Sequence, residues 1–141
     1  CVKMAVNEIL NKKPDLCVSG INHGANSSIN VIYSGTVAAA IEASLHNIPS
    51  MGFSLLDHSI DADFSHTNEF IIKLTERLLK TKLNCCLNVN IPKIMKDKPI
   101  KGMKIAHQSS GVWIEEFEER IDLEGDRAFW LTGKFINKDI I

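Results

Sequence analysis

The residues best suited to chemistry fall in two short segments. These are Ser19-Gly20-Ile21-Asn22-His23-Gly24-Ala25-Asn26-Ser27-Ser28 and, a few residues later, Tyr33-Ser34-Gly35-Thr36. The first is dense in Gly, Asn and Ser, so many backbone N–H groups and few bulky side chains can close around an anion. The amide oxygen of Asn22 is a hard, neutral donor of the kind that joins carboxylates around Mg²⁺ or Mn²⁺. The hydroxyls of Ser34 and Thr36, with the N–H groups of a following helical turn, suit the non-bridging oxygens of a phosphate. The same residues also admit a purely structural reading, as turn formers followed by a capped helix. His23 has the chemistry to touch phosphate or give up a proton, yet loop histidines serve as often in packing or face solvent.

Such segments work only if regular elements hold them. Lys13-Pro14-Asp15 is a turn, and Leu16-Cys17-Val18 after it reads as a short buried parallel strand. Val37 to His46 reads as a helix capped by Ser34 or Thr36 and stopped by Asn47-Ile48-Pro49, and Met51 to Leu56 as a second strand. The order strand, loop, helix, strand builds a parallel crossover. Ligands of such sheets collect where loops leave the carboxyl ends of the strands, which selects Ser19 to Asn26 and Ser34 to Thr36. Farther along, Asn68 to Lys80 has helical periodicity through Phe70, Ile71, Leu74 and Leu78, and Cys85 to Ile91 is a third strand closed by Pro92.

At the start, Val2, Ala5, Val6, Ile9 and Leu10 mark one face of a helix over Cys1 to Asn11. From Gly102 the pattern turns to strands at Met103 to His107, Val112 to Phe117 and Ala128 to Thr132. Ser109-Ser110-Gly111 and Glu124-Gly125-Asp126 are the turns between them. The expected fold is α/β, a three-layer Rossmann-like arrangement on a mainly parallel sheet with a β-hairpin extension in the second half. It forms one partial domain over 1–141, with the core over about 1–100 and the extension over about 101–135. A start inside a helix without a cap, and an end at Ile141 without a cap or polar tail, are expected of a fragment.

The composition sets the outer bounds. With 141 residues, 45% hydrophobic, 23% charged and a net charge of −1, the chain is an ordinary globular one. It has no global field to draw in duplex nucleic acid or an anionic membrane, so an anionic ligand must be held locally. No apolar run reaches the roughly 18 residues of a membrane span, and the start lacks a signal-peptide layout, which points to the cytoplasm. Cys1, Cys17, Cys85 and Cys86 form no CxxC pair and have no His at zinc-finger spacing, and Cys17 and one of Cys85 and Cys86 sit inside apolar strand-like runs, so buried free thiols are expected rather than a disulfide or metal role. Asp57, His58, Asp61 and Asp63 form the one acidic cluster with metal-like spacing and are expected as a solvated loop. Trp113 and Trp130 are expected in a core or an interface, and Glu115, Glu116, Glu118 and Glu119 along a charged strand edge. A dehydrogenase is disfavoured because no G-x-G-x-x-G fingerprint sits at the strand-to-helix turn.

Two stretches, Pro14 to Asn26 and Val31 to Ala40, closely resemble the central signature of the SurE survival-protein family. The resemblance continues through Gly52-Phe53-Ser54-Leu55, Leu87-Asn88-Val89-Asn90-Ile91-Pro92 and Asp126 to Gly133, so it covers nearly the whole chain. It implies a metal-dependent phosphomonoesterase acting on 5′- and 3′-nucleoside monophosphates, with Mg²⁺ or Mn²⁺ as cofactor. The family holds its cation with two adjacent aspartates of an amino-terminal Asn-Asp-Asp-Gly motif, a Ser from a further loop and the Asn that matches Asn22. No two Asp residues of this chain are adjacent, so the chain alone is expected to be inactive and to supply only Asn22 as metal ligand. By the same resemblance Asn22, Ser34 and Thr36 would carry catalysis, and Gly24, Asn26, Ser34, Gly35 and Thr36 would cradle the phosphate. The resemblance also implies a homodimer or homotetramer joined through the late hairpin. The alternative is a phosphate- or nucleotide-binding module without catalysis.

Overall fold

The computed structural model describes residues 1–139. The chain divides into two compact units, one of residues 1–26 with 30–104, the other of 27–29 with the chain from Ile105 onward.

The first unit is built on a parallel sheet of three strands, β1 (Cys17–His23), β2 (Ser50–Leu56) and β3 (Cys86–Pro92), in the order β1-β2-β3. The middle strand is the one the sequence marks most clearly. Ser50 to Leu55 are buried without interruption, as a central parallel strand covered on both faces requires. After the single turn α2 (Asn30–Tyr33), helix α3 (Gly35–Leu45) crosses from β1 to β2 and buries Val37, Ala40 and Ala43. Its first turn lies so close to β2 that a Cβ at Gly52 would stand 3.2 Å from the Thr36 carbonyl oxygen. Helix α4 (Thr67–Thr81) brings Leu78 into a core with Met51, Phe53 and Ile91, joined by Phe70, Ile71, Leu74, Leu87 and Val89. Residues 51 and 53 thus meet α4 while Gly52 between them meets α3, so helices cover both faces of the sheet.

Three sequence expectations change here. The segment Ser19 to His23, expected as loop, belongs to β1, which reaches His23 across a register shift between Ser19 and Asn22. Gly20 permits the irregularity: its φ is +114°, and any Cβ there would overlap the Phe53 carbonyl oxygen. The expected helix over Cys1 to Asn11 is only α1 (Val2–Met4) followed by a π-helical turn, Ala5–Ile9. Leu10 N–H donates to Ala5 O at 2.8 Å, and Leu10 is extended, so the wider turn leads the backbone out of the helix before Pro14. Its apolar stripe buries no residue fully. The cysteines are free as expected but less buried: Cys17 and Cys85 are half-buried at the sheet margins, and Cys1 and Cys86 are exposed. Burial, and then the neighbouring Cys86, pushes the Cys17 thiol pKa up.

The second unit is a two-stranded antiparallel ribbon, β4 (Val112–Ile121) with β5 (Arg127–Ile136), paired from Val112↔Ile136 to Ile121↔Arg127. Both strands run past their expected ends. The turn is fixed by the Asp122 carboxylate, which accepts from Glu124 N at 3.0 Å and Asp126 N at 2.8 Å, with Gly125 at φ +90°. The expected strand over Met103 to His107 is absent. Just after it, Gln108 Nε2 donates to Ser28 O at 2.7 Å and Ile29 N to Gly111 O at 3.2 Å, so the segment leading into β4 is tied by irregular bonds to a short loop. Trp113 is 45% exposed and Trp130 58%, so neither is a core residue of the ribbon. Arg120 stacks over the Trp130 ring at 5.1 Å. Among the described residues no helix is long and apolar enough to cross a membrane.

Candidate functional site

Ser19 to Asn26 and Tyr33 to Thr36 both lie in the first unit, at the carboxyl end of β1 and the amino end of α3, whereas Ser27 and Ser28 fall in the second. Asn22 is the penultimate residue of β1 and pairs in register with Ser54 of β2, which pairs in turn with Asn90 of β3. One polar row therefore crosses all three strands.

Asn22 is half-buried, and its side-chain nitrogen donates to His23 O at 2.8 Å and Gly24 O at 3.0 Å. Commitment of the nitrogen to two carbonyls fixes the amide orientation and turns the oxygen away from them. That oxygen has the chemistry of a hard cation ligand, and it is one ligand only. Among the described residues no group of three or more His, Cys, Asp or Glu is arranged to hold a metal. The residues present fit a divalent cation at a single coordination position.

Helix α3 starts at a Ser34 cap. Ser34 is buried and extended (φ −86°, ψ 114°), and its Oγ accepts from Val37 N at 3.1 Å while its carbonyl accepts from Ala38 N at 2.9 Å. This resolves the choice between Ser34 and Thr36 as cap, since Thr36 is the second residue inside the helix. The N–H groups of Gly35 and Thr36 precede the first helical acceptor, so they and the Ser34 hydroxyl proton form a donor set at the positive end of the helix. A Cβ at Gly35 would meet open space, so the approach to these donors is clear. Ser34→Ala is expected to lose about 1 kcal/mol of stability through the cap, read as a lower urea midpoint with an unchanged slope, together with weaker phosphate binding.

The other expected phosphate contacts sit differently. Gly24 N–H donates to Leu55 O at 2.8 Å and Asp57 O at 3.1 Å, and its φ is +81° with the His58 ring occupying the place of a Cβ. Gly24 thus closes the loop onto β2, and its N–H is already engaged. Asn26 is 5% exposed. Its side-chain nitrogen donates to Ser54 Oγ at 2.7 Å, its N–H to Asn90 Oδ1 at 2.9 Å, and its carbonyl accepts from Asn88 Nδ2 at 2.6 Å and Asn90 Nδ2 at 3.1 Å.

Ser54, Asn88 and Asn90 were not foreseen as part of this site. A signal was present: Asn at two alternate positions inside the apolar run Leu87 to Ile91 puts two amides on one face of a strand, where each must find partners.

His23 is exposed, with its ring edge-on to Phe64 at 4.7 Å. The acidic segment is not simply solvated. The Asp57 side chain is only 11% exposed and pairs with Lys93 Nζ at 2.8 Å. The Lys93 ammonium, then Ser59 N–H, hold its carboxyl below the ordinary range, with a smaller contribution from His23.

The profile of the family described as Survival protein SurE matches residues 1–115. The chain is 57% identical over 141 residues to a protein of Christiangramia forsetii named 5′-nucleotidase SurE, with 99% of this chain and 54% of that protein covered. It is 52% identical, with the same coverage, to the protein of that name from Flavobacterium psychrophilum. Among solved structures, the SurE protein of Aquifex aeolicus superposes with a TM-score of 0.74 at 33% identity, covering 95% of this chain and 54% of that one. The chain spans about half the length of the curated relatives it matches. It belongs to the SurE survival-protein family.

Proposed function

We propose that this chain carries the phosphate-binding and part of the metal-binding surface of a divalent-metal-dependent phosphomonoesterase that releases phosphate from 5′- and 3′-nucleoside monophosphates. The observation that carries this reading is the Ser34-capped first turn of α3, open to solvent at Gly35, on the same crossover that presents the Asn22 oxygen. The relatives' name, 5′-nucleotidase, supports the substrate class.

In this reading the Ser34 hydroxyl and the Gly35 and Thr36 N–H groups donate to the non-bridging phosphate oxygens, which gain charge as the ester bond breaks. Because these donors are fixed by the helix, little reorganisation accompanies that change. Asn22 Oδ1 would hold Mg²⁺ or Mn²⁺, which when bound supplies positive charge at the phosphate and lowers the pKa of a coordinated water. Gly24 and Asn26 act by holding the loop between these two parts.

The test is phosphate release from 5′- and 3′-nucleoside monophosphates by the protein expressed from its full reading frame, with Mn²⁺ or Mg²⁺ and again after chelation. Metal-dependent release is expected. Phosphate binding without release under either metal would leave a non-catalytic binding module.

The ribbon supports self-association. Phe117, Phe129 and Trp130 are 67%, 58% and 58% exposed, more aromatic surface than a two-stranded ribbon buries by itself. Sedimentation of dilute protein is expected to show a homodimer or homotetramer, and a monomer would refute this use of the ribbon.

A further inference from the structure

The polar network at Asn26 connects β3 to the metal-facing residue of β1. Asn90 meets the Asn26 peptide with both halves of its amide, Oδ1 accepting from Asn26 N at 2.9 Å and Nδ2 donating to Asn26 O at 3.1 Å. It engages the peptide as a neighbouring strand would, through a side chain 64 residues away. Asn88, two residues earlier on the same face, donates to the same carbonyl at 2.6 Å, and its Oδ1 accepts from Asn90 Nδ2 at 3.4 Å. Ser54 takes the Asn26 side chain at 2.7 Å. At the other end of the short loop, Gly24 N–H is held by Leu55 O and Asp57 O. With Gly24 and Asn26 both tied down, the Gly24 carbonyl between them has one direction, and that carbonyl receives the Asn22 amide nitrogen at 3.0 Å.

We propose that Asn90, assisted by Asn88, is a positioning residue for the metal ligand: it clamps the Asn26 peptide, and through Gly24 sets the direction of the Asn22 oxygen. The proposal rests on the reading of Asn22 as a metal ligand and adds the residues that aim it. Strand β3 is chemically suited to the task. Its parallel pairing to β2 puts Asn90 opposite Ser54 and hence in the row that contains Asn22, so the clamp and the ligand share one rigid sheet. Asparagine is required because the clamp needs a donor and an acceptor together. In Asn90→Asp the side chain keeps its shape but presents a second oxygen to the Asn26 carbonyl, which it cannot bond.

The experiment is calorimetric titration of the full-length protein with Mn²⁺ alone, beside measurement of kcat and KM for a 5′-nucleoside monophosphate at saturating metal. Asn90→Asp is expected to weaken Mn²⁺ about tenfold or more, the size of effect seen when a partner that orients a metal ligand is lost. KM for the nucleotide should change less than about twofold, since the donors on α3 are untouched. Leu78→Ala, in the core beneath α4, serves as a control destabilised to a similar or greater degree, and its Mn²⁺ affinity should match that of the unaltered protein. If Asn90→Asp does not fold, Asn88→Ala removes one of the two bonds to Asn26 O and is expected to weaken Mn²⁺ about threefold. Equal Mn²⁺ affinity in a folded clamp variant and the unaltered protein overturns the proposal. Equal weakening by Leu78→Ala also overturns it, by showing that the network matters only to stability. Failure of the unaltered protein to bind Mn²⁺ overturns the metal reading of Asn22 itself, and the clamp with it.

Discussion

Asn22→Ala is expected to weaken Mn²⁺ binding by at least tenfold and to lower turnover at fixed, subsaturating metal by about one hundredfold, because in the proposed site it removes a ligand itself where loss of an orienting partner already costs 10–100-fold. The structure separates this effect from ordinary destabilisation. Asn22 is half-buried and its two hydrogen bonds are to the carbonyls of His23 and Gly24, adjacent on the same loop. Loss of those bonds costs stability on the order of 1 kcal/mol, far too little to unfold a domain of ordinary stability. A folded Asn22→Ala protein with unaltered metal affinity would remove Asn22 from the metal site. Added Mn²⁺ is expected to restore part of the turnover, whereas added nucleotide is not, since the proposed phosphate donors are the Ser34 cap and the first turn of α3, away from Asn22 in the chain.

Phe53→Ala is expected to cost about 3–5 kcal/mol, the range for deletion of a buried aromatic ring. Phe53 is 1% exposed on the central strand and packs in the cluster with Met51, Leu78 and Ile91. Neighbours on both flanking strands and on α4 are held by backbone pairing and helix packing, so they cannot close the space fully. Its backbone has a second constraint, since the Phe53 carbonyl oxygen lies where Gly20 leaves room for it. Ser54, the next residue, belongs to the polar row with Asn22 and Asn90, so the variant is expected to lose metal affinity only as it unfolds. Urea unfolding checks this; a loss below about 1 kcal/mol would contradict the packing described.

The sequence made some elements plain for physical reasons. The run from Met51 to Leu56 carries no charge and, Ser54 apart, no polar side chain because both faces of β2 are covered, and the hydroxyl before Val37 to His46 marks a cap because helix starts need an acceptor. The resemblance to the SurE family identified the loop and the helix start together. What was hidden depended on tertiary pairing. Ser19 to His23 contains residues that disfavour strands, yet the edge of β2 recruits it as far as His23, with Gly20 absorbing the irregularity. Met103 to His107 alternates like a strand, but among the described residues it has no ladder partner. The resemblance marked Gly24 and Asn26 as candidates for the site. That their polar groups are engaged by Leu55, Asp57, Ser54, Asn88 and Asn90 depends on contacts 28 to 64 residues distant, which local pattern does not encode.

The most direct measurement is a crystal structure of the full-length protein with Mn²⁺ and phosphate, using the anomalous signal of manganese. The expected result is a manganese peak about 2 Å from Asn22 Oδ1, in the range of small hard dications, and a phosphate whose oxygens accept from the Ser34 hydroxyl and the Gly35 and Thr36 N–H groups. Manganese bound elsewhere, with the Asn22 oxygen turned to solvent or to protein donors, would contradict it.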